Sequence, residues 1–158
     1  MRYLLLLLSL LAVVELSFSQ NRLLSPDAPK DKPVAVDNME KLNKAIAPYV
    51  TKAKSTYPQA KQRFLTGLPK GQHFFLTAPL KDDQGHEENV FIVVRAIQDG
   101  IVSGRIANDV RLVSGYKNGD DYSFAESALL DWLITKPDGT EEGNFVGNFL
   151  DTYKPNQP

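Results

Sequence analysis

The stretch VFIVVRAIQDGIVSGRIA, residues 90–107, decides the fold class of this chain. Residues 90–97 are apolar on both faces for most of their length, which predicts a central strand covered on both sides. Asp99-Gly100 then predicts a tight hairpin turn, since both central positions of such a turn need positive φ and Asp-Gly adopts it at little cost. Apolar and polar residues alternate over residues 101–107, which predicts a returning strand with one face in water. The stretch therefore indicates a β-hairpin.

Short apolar segments on both sides of this hairpin predict further strands. They are residues 73–78, residues 110–113, the alternating pair Tyr122 and Phe124, and residues 129–135. Asn118-Gly119 and Asp138-Gly139 are turn signals between them. Many short strands linked by turns predict a curved antiparallel sheet or a small, partly open β-barrel of about five to seven strands.

The segment before the sheet has a helical period. Apolar residues recur at helical spacing at Leu42, Ile46, Tyr49, Val50 and Ala53. Asp37 and Glu40 form a capping-box pair at the start, and Pro48 predicts a kink or a restart because proline removes a backbone donor. A second short helix is predicted over residues 58–66, ending at Gly67. We therefore predict an α+β fold, with N-terminal helices packed on the sheet.

The first residues predict export. Arg2 is followed by an apolar run over residues 3–14, and Ser17-Phe18-Ser19 has small residues at the spacing of a cleavage site. The run is shorter than the roughly 20 residues that a transmembrane helix needs, so we expect no stable membrane anchor. We predict a signal peptide over residues 1–19, a flexible leader over 20–36 and a single domain over 37–154. The mature chain would begin at Gln20 and be soluble, either periplasmic or secreted.

Cysteine content and charge narrow the classes of function. The chain has no cysteine, which excludes disulfides and thiolate metal sites and fits a bacterial envelope protein. It has 18 basic and 19 acidic residues, so its net charge does not favour nucleic acid or anionic membrane as a partner. Basic residues are nevertheless concentrated in residues 41–70. We interpret them as a solvated helix face or as attraction to the acidic half of the domain; the alternative is a polyanion-binding patch.

Catalytic signatures are missing from the sequence. There is no phosphate-binding loop, no Gly-x-Ser-x-Gly elbow and no His-Glu-x-x-His, so we predict no cofactor and no metal. One cluster could be drawn as a metal site, namely His86, Glu87 and Glu88 near Asp82 and Asp83. Adjacent acidic residues on a turn between strands more often form a solvated loop, and the spacing matches no calcium loop.

An ordered series of short motifs runs through the second half of the chain. They are Glu88-Asn89-Val90-Phe91-Ile92, Gly104-Arg105-Ile106-Ala107-Asn108-Asp109, Gly115-Tyr116-Lys117-Asn118-Gly119-Asp120, Asp131-Trp132 and Gly143-Asn144-Phe145. In this order and spacing the series resembles the YegJ-like family, domain of unknown function 2314, over roughly residues 73–148. The resemblance implies a bacterial, often exported domain and no established activity. Phe91 stands where the family commonly has Trp and Asn89 where it has His, so a function of that His is not implied here.

Five residues in these motifs are candidate binding residues: Asn108, Asp109, Asp131, Trp132 and Asn144. Asn108 and Asp109 are also expected to bond the backbone of a connection between strands. Trp132 is expected to be a core residue. Asp131 lies on the opposite face and, if that face is buried, needs a partner. It either bonds backbone amides or lines a site.

Two classes of function follow from these residues. We expect a non-enzymatic binding or interaction module of the bacterial envelope, whose partner is another envelope protein; an immunity-like inhibitor is one version. The alternative is a carboxylate-dependent hydrolase or another enzyme that uses Asp109 and Asp131. Convergence of these two carboxylates in a cleft would favour the enzyme, whereas a flat or convex surface would favour binding.

Overall fold

Residues 39–154 fold into one long helix, a second short helix and a six-stranded antiparallel sheet. The computed structural model describes Pro29 and residues 39–154. In chain order the elements are α1 (Met39–Thr66), β1 (His73–Lys81), β2 (Glu87–Gln98), β3 (Ile101–Ile106), β4 (Asp121–Ala125), β5 (Asp131–Thr135), β6 (Glu141–Gly143) and α2 (Phe145–Leu150). The predicted α+β fold is confirmed, with an open curved sheet rather than a closed barrel.

The strand order is β4-β3-β2-β1-β5-β6. Strands β1 to β4 form a meander, and β5 then pairs with the other side of β1. The predicted hairpin connects β2 and β3, with φ of 52° at Asp99 and 75° at Gly100. A short 3-10 turn at Glu126–Ala128 lies between β4 and β5. The topology therefore places β3 and β5 on opposite sides of the β1–β2 pair.

The sheet is strongly curved. The β2–β3 register shifts between Val94 and Ala96, and such a bulge bends a strand. Gly104 lies opposite, where a Cβ would be only 2.2 Å from the Val93 carbonyl oxygen. Three inter-strand steps would separate β4 from β1 by about 14 Å in a flat sheet. The Tyr122 hydroxyl on β4 nevertheless donates to a carbonyl oxygen of β1, that of Pro79, at 3.1 Å.

Helix α1 is continuous where the sequence predicts a kink or a restart. Pro48 and Pro58 both lie inside it. Each proline removes one backbone donor, but both are exposed, so the carbonyl groups left without that donor lie on the solvent side of the helix. The helix ends at Thr66, one residue before Gly67, as predicted. Burial of its inner face therefore maintains one helix through both prolines.

Two apolar clusters hold α1 in place. Its C-terminal half packs into the concave face of the sheet through Ala53, Tyr57, Ala60 and Phe64. Its N-terminal half packs against α2 through a smaller cluster of Leu42, Ile46 and Val146, extended by Val50, Phe149, Leu150 and Tyr153. The rings of Tyr49 and Phe149 stack in the same region, with centroids 4.4 Å apart. Helix α1 therefore joins the sheet to α2.

Several predicted elements differ from the structure. Residues 110–113, predicted as a strand, lie in the irregular connection over residues 107–120. Strand β5 begins at Asp131 rather than at residue 129. The predicted signal peptide, and the leader apart from Pro29, lie outside the described residues. Neither helix of the described part has both the length and the hydropathy of a membrane span.

Candidate functional site

The five candidate residues fall into two separate groups. Asn108 and Asp109 follow β3, whereas Asp131 and Trp132 lie on β5 and Asn144 precedes α2. Strands β2 and β1 lie between β3 and β5 in the sheet. Asp131 is 1% exposed and both of its carboxylate oxygens accept backbone N–H groups, so the structure does not bring it together with Asp109 in an open cleft.

Asp131 bonds backbone amides, one of the two predicted alternatives. Its Oδ1 accepts the N–H of Trp132 at 2.8 Å, and its Oδ2 accepts the N–H of Val146 at 2.7 Å. Val146 lies in the first turn of α2, where helix N–H groups have no partner within the helix. Asn144, at the N-cap position, forms no side-chain cap bond. Asp131 therefore attaches α2 to β5.

Burial raises the pKa of Asp131 from 3.8 to about 6. Backbone N–H groups of Val146, Trp132, Phe145 and Gly147 act in the opposite direction. Removal of the carboxylate from water has the larger effect, because the charged form loses its hydration in the interior. The carboxyl group is therefore attached firmly to α2 but is costly to ionise.

Trp132 is a core residue that also borders a cleft. Its ring is 4% exposed, and its Nε1 donates to the hydroxyl of Thr56 at 3.0 Å and the carbonyl oxygen of Ala53 at 3.2 Å. It meets Phe145 edge to face, with ring centroids 5.9 Å apart. The neighbouring surface cleft, the α1–β6 cleft, has a volume of about 350 Å³. It is lined by Lys52, Thr56, Gln59, Ala60, Arg63, Trp132, Glu142, Gly143 and Phe145.

Gly143 lets β6 approach the tryptophan closely. A Cβ at this position would lie 2.3 Å from the Trp132 carbonyl oxygen and 2.8 Å from its ring. The next residue, Asn144, has a left-handed φ of 54° and donates from Nδ2 to Glu141 at 2.6 Å. Asn144 therefore stabilises the turn from β6 into α2, and its side chain does not line the cleft.

The second group of candidates lies in the β3–β4 loop, residues 107–120. Asn108 is 5% exposed, and its Oδ1 accepts the N–H of Phe91 at 2.8 Å while its Nδ2 donates to the carbonyl oxygen of Asp109 at 3.2 Å. The Asn108 side chain thus accepts a hydrogen bond from β2 just beyond the end of β3, where a backbone carbonyl would otherwise accept it. Asp109 is exposed.

Two carboxylates from the neighbouring β1–β2 hairpin fix the backbone of this loop. Glu88 Oε2 accepts the N–H groups of Arg111 and Leu112, both at 2.8 Å. Asp82 Oδ2 accepts the N–H of Ser114 at 3.0 Å. The sequence does not predict these roles, because adjacent acidic residues on a turn between strands are typical of a solvated loop. Bonds between a carboxylate and an amide more than 20 residues away leave no local sequence signal.

Asp82 also holds its own turn together. Oδ1 accepts the N–H groups of Gln84 and His86 at 3.0 and 2.9 Å, and Oδ2 lies 2.9 Å from His86 Nδ1. The bond from Ser114 contributes most to a pKa well below the usual range, followed by bonds from His86 and Gln84. The side chain is only 6% exposed, yet the residues that cover it, including Gln84, His86 and Ser114, are exposed themselves. The hydrogen bonds to Asp82 therefore lower its pKa more than desolvation raises it.

The β3–β4 loop exposes apolar side chains from this fixed backbone. Leu112 is 66% exposed and Tyr116 is 37% exposed. The Tyr116 ring packs edge to face on Tyr122, with centroids 5.8 Å apart. Lys117 N–H donates to Asp120 Oδ2 at 2.9 Å near the end of the loop. The loop thus presents a leucine and a tyrosine from a defined conformation.

Basic residues of α1 contact the acidic half of the domain. Lys61 pairs with Glu126 at 2.7 Å, and Arg63 pairs with Glu142. Lys54 donates from Nζ to the Ser127 carbonyl oxygen at 3.3 Å. These contacts agree with attraction between the two halves of one domain.

The acidic cluster of the β1–β2 turn does not assemble as a metal centre. Asp82 and His86 contact each other, while Glu88 turns to the β3–β4 loop. Within residues 39–154 and Pro29, no group of three or more His, Cys, Asp or Glu side chains could hold a metal ion.

Comparison with known proteins identifies a family. The model of a family described as "Uncharacterized protein conserved in bacteria (DUF2314)" matches residues 40–153. No curated protein and no solved structure matches the chain. The match includes α1 and α2 as well as the sheet, so it covers more of the chain than the predicted resemblance over residues 73–148. The chain therefore belongs to this bacterial family of domains of unknown function.

Proposed function

We propose that this protein is a non-enzymatic binding module of the bacterial cell envelope that holds a partner protein through its β3–β4 loop. The observation that carries the proposal is the exposed Leu112 on a loop whose backbone amides are bound by Glu88 and Asp82. An immunity-like inhibitor, in which the loop enters a pocket of its partner, is one form of this function.

The fixed backbone of the loop supports this proposal. Connections of about 14 residues without regular structure are uncommon and are usually functional or disordered. This loop is tied down by Glu88, Asp82 and Asn108 through hydrogen bonds of 2.8 to 3.0 Å. A segment ordered before association loses less conformational entropy on binding. The loop conformation therefore suits recognition.

The exposed side chains supply the contact. Leu112 has 66% of its surface in water, although burying a leucine releases roughly 1.5–3 kcal/mol. Tyr116 adds an aromatic ring with a hydroxyl group, and tyrosine is enriched at interface hot spots. We propose a partner that has an apolar pocket for Leu112 and a hydrogen-bonding rim for Tyr116.

A photo-crosslinking experiment tests the loop as a binding surface. A photoreactive amino acid replaces Leu112 in one variant and Leu65, which is 52% exposed on α1, in a matched control. Both are expressed in the bacterium and irradiated. We expect one specific crosslinked protein from position 112 and none from position 65, and the adduct should be lost when Tyr116→Ala is added.

Two outcomes would argue against the loop. In the first, positions 65 and 112 give the same adduct. In the second, position 112 gives no adduct, and the Leu112→Asp variant recovers as much partner protein as the wild type does. Circular dichroism of the variants checks that the fold is retained.

The envelope location has its own test. The signal-like residues 1–19 support export, and the family is bacterial. N-terminal sequencing of the protein from its natural compartment should begin at Gln20, and the protein should fractionate as a soluble species. A chain that still begins at Met1, or that is recovered only in washed membranes, would contradict the proposal.

A further inference from the structure

The α1–β6 cleft has chemistry that the β3–β4 loop does not share. Four of its residues follow one stripe of α1 at spacings of four, three and four residues: Lys52, Thr56, Gln59 and Arg63. Such spacings place side chains on one face of a helix. The stripe lies beside the core-facing residues and forms one wall of the cleft. The opposite wall consists of Glu142, Gly143 and Phe145.

The two cations of this stripe differ in their partners. Arg63 is paired with Glu142, and its guanidinium holds the pKa of Glu142 below the usual range. The ammonium group of Lys52 has no ion pair or hydrogen bond within the described part of the chain, and the same holds for the side-chain amide of Gln59. Lys52 and Arg63 are eleven positions apart in the helix, about 16 Å along the axis. Lys136 Nζ also lies 3.7 Å from Glu142 Oε2, so this carboxylate already has two cationic partners, whereas the Lys52 ammonium has no anionic partner among the described residues.

The floor between these ends is apolar. Phe145 is half-buried, and its ring meets Trp132 with centroids 5.9 Å apart. Ala60, whose side chain is a single methyl group, lines the helix side of the cleft. The cleft volume of about 350 Å³ lies at the lower end of the range for small-molecule sites, about 300–1,000 Å³. Polar groups around an apolar surface fix the orientation of a ligand in such sites.

We propose that the α1–β6 cleft binds a small organic acid. The carboxylate of the acid meets the Lys52 ammonium and the Gln59 amide, and its apolar body lies against Phe145 beside Trp132. At the other end of the cleft, Arg63 is already bound to Glu142 and is less available to a second anion. Gly143 is required because a side chain there would collide with Trp132. The ligand class is thus an acid with a single charge and a compact apolar group.

NMR titration of the purified chain with phenylacetate tests this proposal. The chain has a single tryptophan, so the indole N–H of Trp132 gives one signal at the floor of the cleft. We expect saturable shifts of this signal and of the Gln59 side-chain amide. Phenylacetamide has the same ring without the charge, and we expect it to bind about 10-fold more weakly, the order expected for one charge-assisted hydrogen bond.

Two lysine variants distinguish binding in the cleft from general attraction of an anion to the positive charges of α1. Lys52→Gln should raise the Kd for phenylacetate by about 10-fold. Lys44→Gln is the matched control, because Lys44 is an exposed lysine on α1 that pairs with Glu40 and does not line the cleft. It should leave the Kd unchanged. Absence of saturable shifts, equal binding of the neutral amide, or equal effects of the two lysine variants would each overturn the proposal.

Discussion

Asp131 and Asp82 are used in the same way in two different regions of this molecule. Each is almost inaccessible to water and accepts backbone N–H groups from a segment distant in sequence, α2 for Asp131 and the β3–β4 loop for Asp82. Their pKa values nevertheless move in opposite directions, up to about 6 for Asp131 and down for Asp82. The depth of protein around a carboxylate, rather than its number of hydrogen bonds, decides which effect is larger.

The comparison also distinguishes a buried structural region from a segment that is held on the surface of the protein. Around Asp131 every residue of β5 is buried, and the carboxylate joins two packed elements. Around Asp82 the same chemistry holds an exposed segment that carries Leu112. Hydrogen bonds from a carboxylate can thus replace packing where a loop must remain on the surface. We therefore expect changes near Asp131 to affect global stability and changes near Asp82 to affect local order.

The largest effect should come from the core beside Asp131. Trp132→Ala should lower the free energy of unfolding by roughly 3–5 kcal/mol, the usual range for the loss of a large buried aromatic side chain. Tyr116→Ala, which removes an exposed ring from the β3–β4 loop, is the control and should cost less than about 1 kcal/mol. Urea denaturation of both variants measures the difference. Equal losses would mean that the two regions do not differ in this way.

Replacement of Asp131 itself should have the next largest effect. Asp131→Ala leaves the N–H groups of Trp132 and Val146 without this acceptor, and we expect a loss of about 2 kcal/mol. Asp131→Asn keeps one acceptor oxygen and removes the buried charge, so it should cost at least about 1 kcal/mol less. Thermal melting of both variants provides the measurement. Unchanged or higher midpoints for both would refute the structural role of Asp131.

The pH dependence sharpens the comparison. Since the pKa of Asp131 rises from 3.8 to about 6 on folding, the folded state binds its proton more tightly. The stability that this tighter proton binding contributes is therefore complete below about pH 4 and is lost as the pH rises through 6. Above that pH the stability no longer changes because of this group. The unfolding free energy of the wild type minus that of Asp131→Asn should fall by about 1–3 kcal/mol over this window. A difference that rises with pH would contradict the assignment.

The smallest global effect should come from Asp82. Its pKa is lowered, so its contribution is present above the ordinary value of 3.8 and is lost only in more acidic solution. At pH 5, Asp82→Ala should speed hydrogen exchange at the Ser114 and His86 amides by at least about 10-fold, while the melting midpoint changes little. Asp83→Ala, at the exposed neighbouring position, should leave these exchange rates unchanged. Slow exchange in both variants would show that other contacts order the loop.

Local signals were enough to predict much of the sheet. The apolar run over residues 90–97, the Asp99-Gly100 turn and the alternation over residues 101–107 predict β2, β3 and their connection because a hairpin is determined by neighbouring residues. The spacing of Asp131 and Trp132 on one strand likewise places them on opposite faces. The need of a buried Asp131 for amide partners followed from this alternation.

The missed features depend on contacts between distant segments. Residues 110–113 have strand composition, but Glu88 and Asp82 occupy three amides of residues 111–114 and no strand pairs there. Helix α2 has six residues, too few for a periodic pattern, and its first turn is bound by Asp131. Helix α1 runs through Pro48 because packing outweighs the loss of one hydrogen bond. None of these partners could be assigned before the topology was known.

The short connection between β4 and β5 links the curvature of the sheet to the pairing of β5. With their 3-10 turn formed, residues 126–130 span roughly 16 Å, whereas the four inter-strand steps from β4 to β5 would need about 19 Å in a flat sheet. A connection of this length therefore fits a curled meander of β1 to β4. Flattening the meander would either extend this turn or separate β5 from β1.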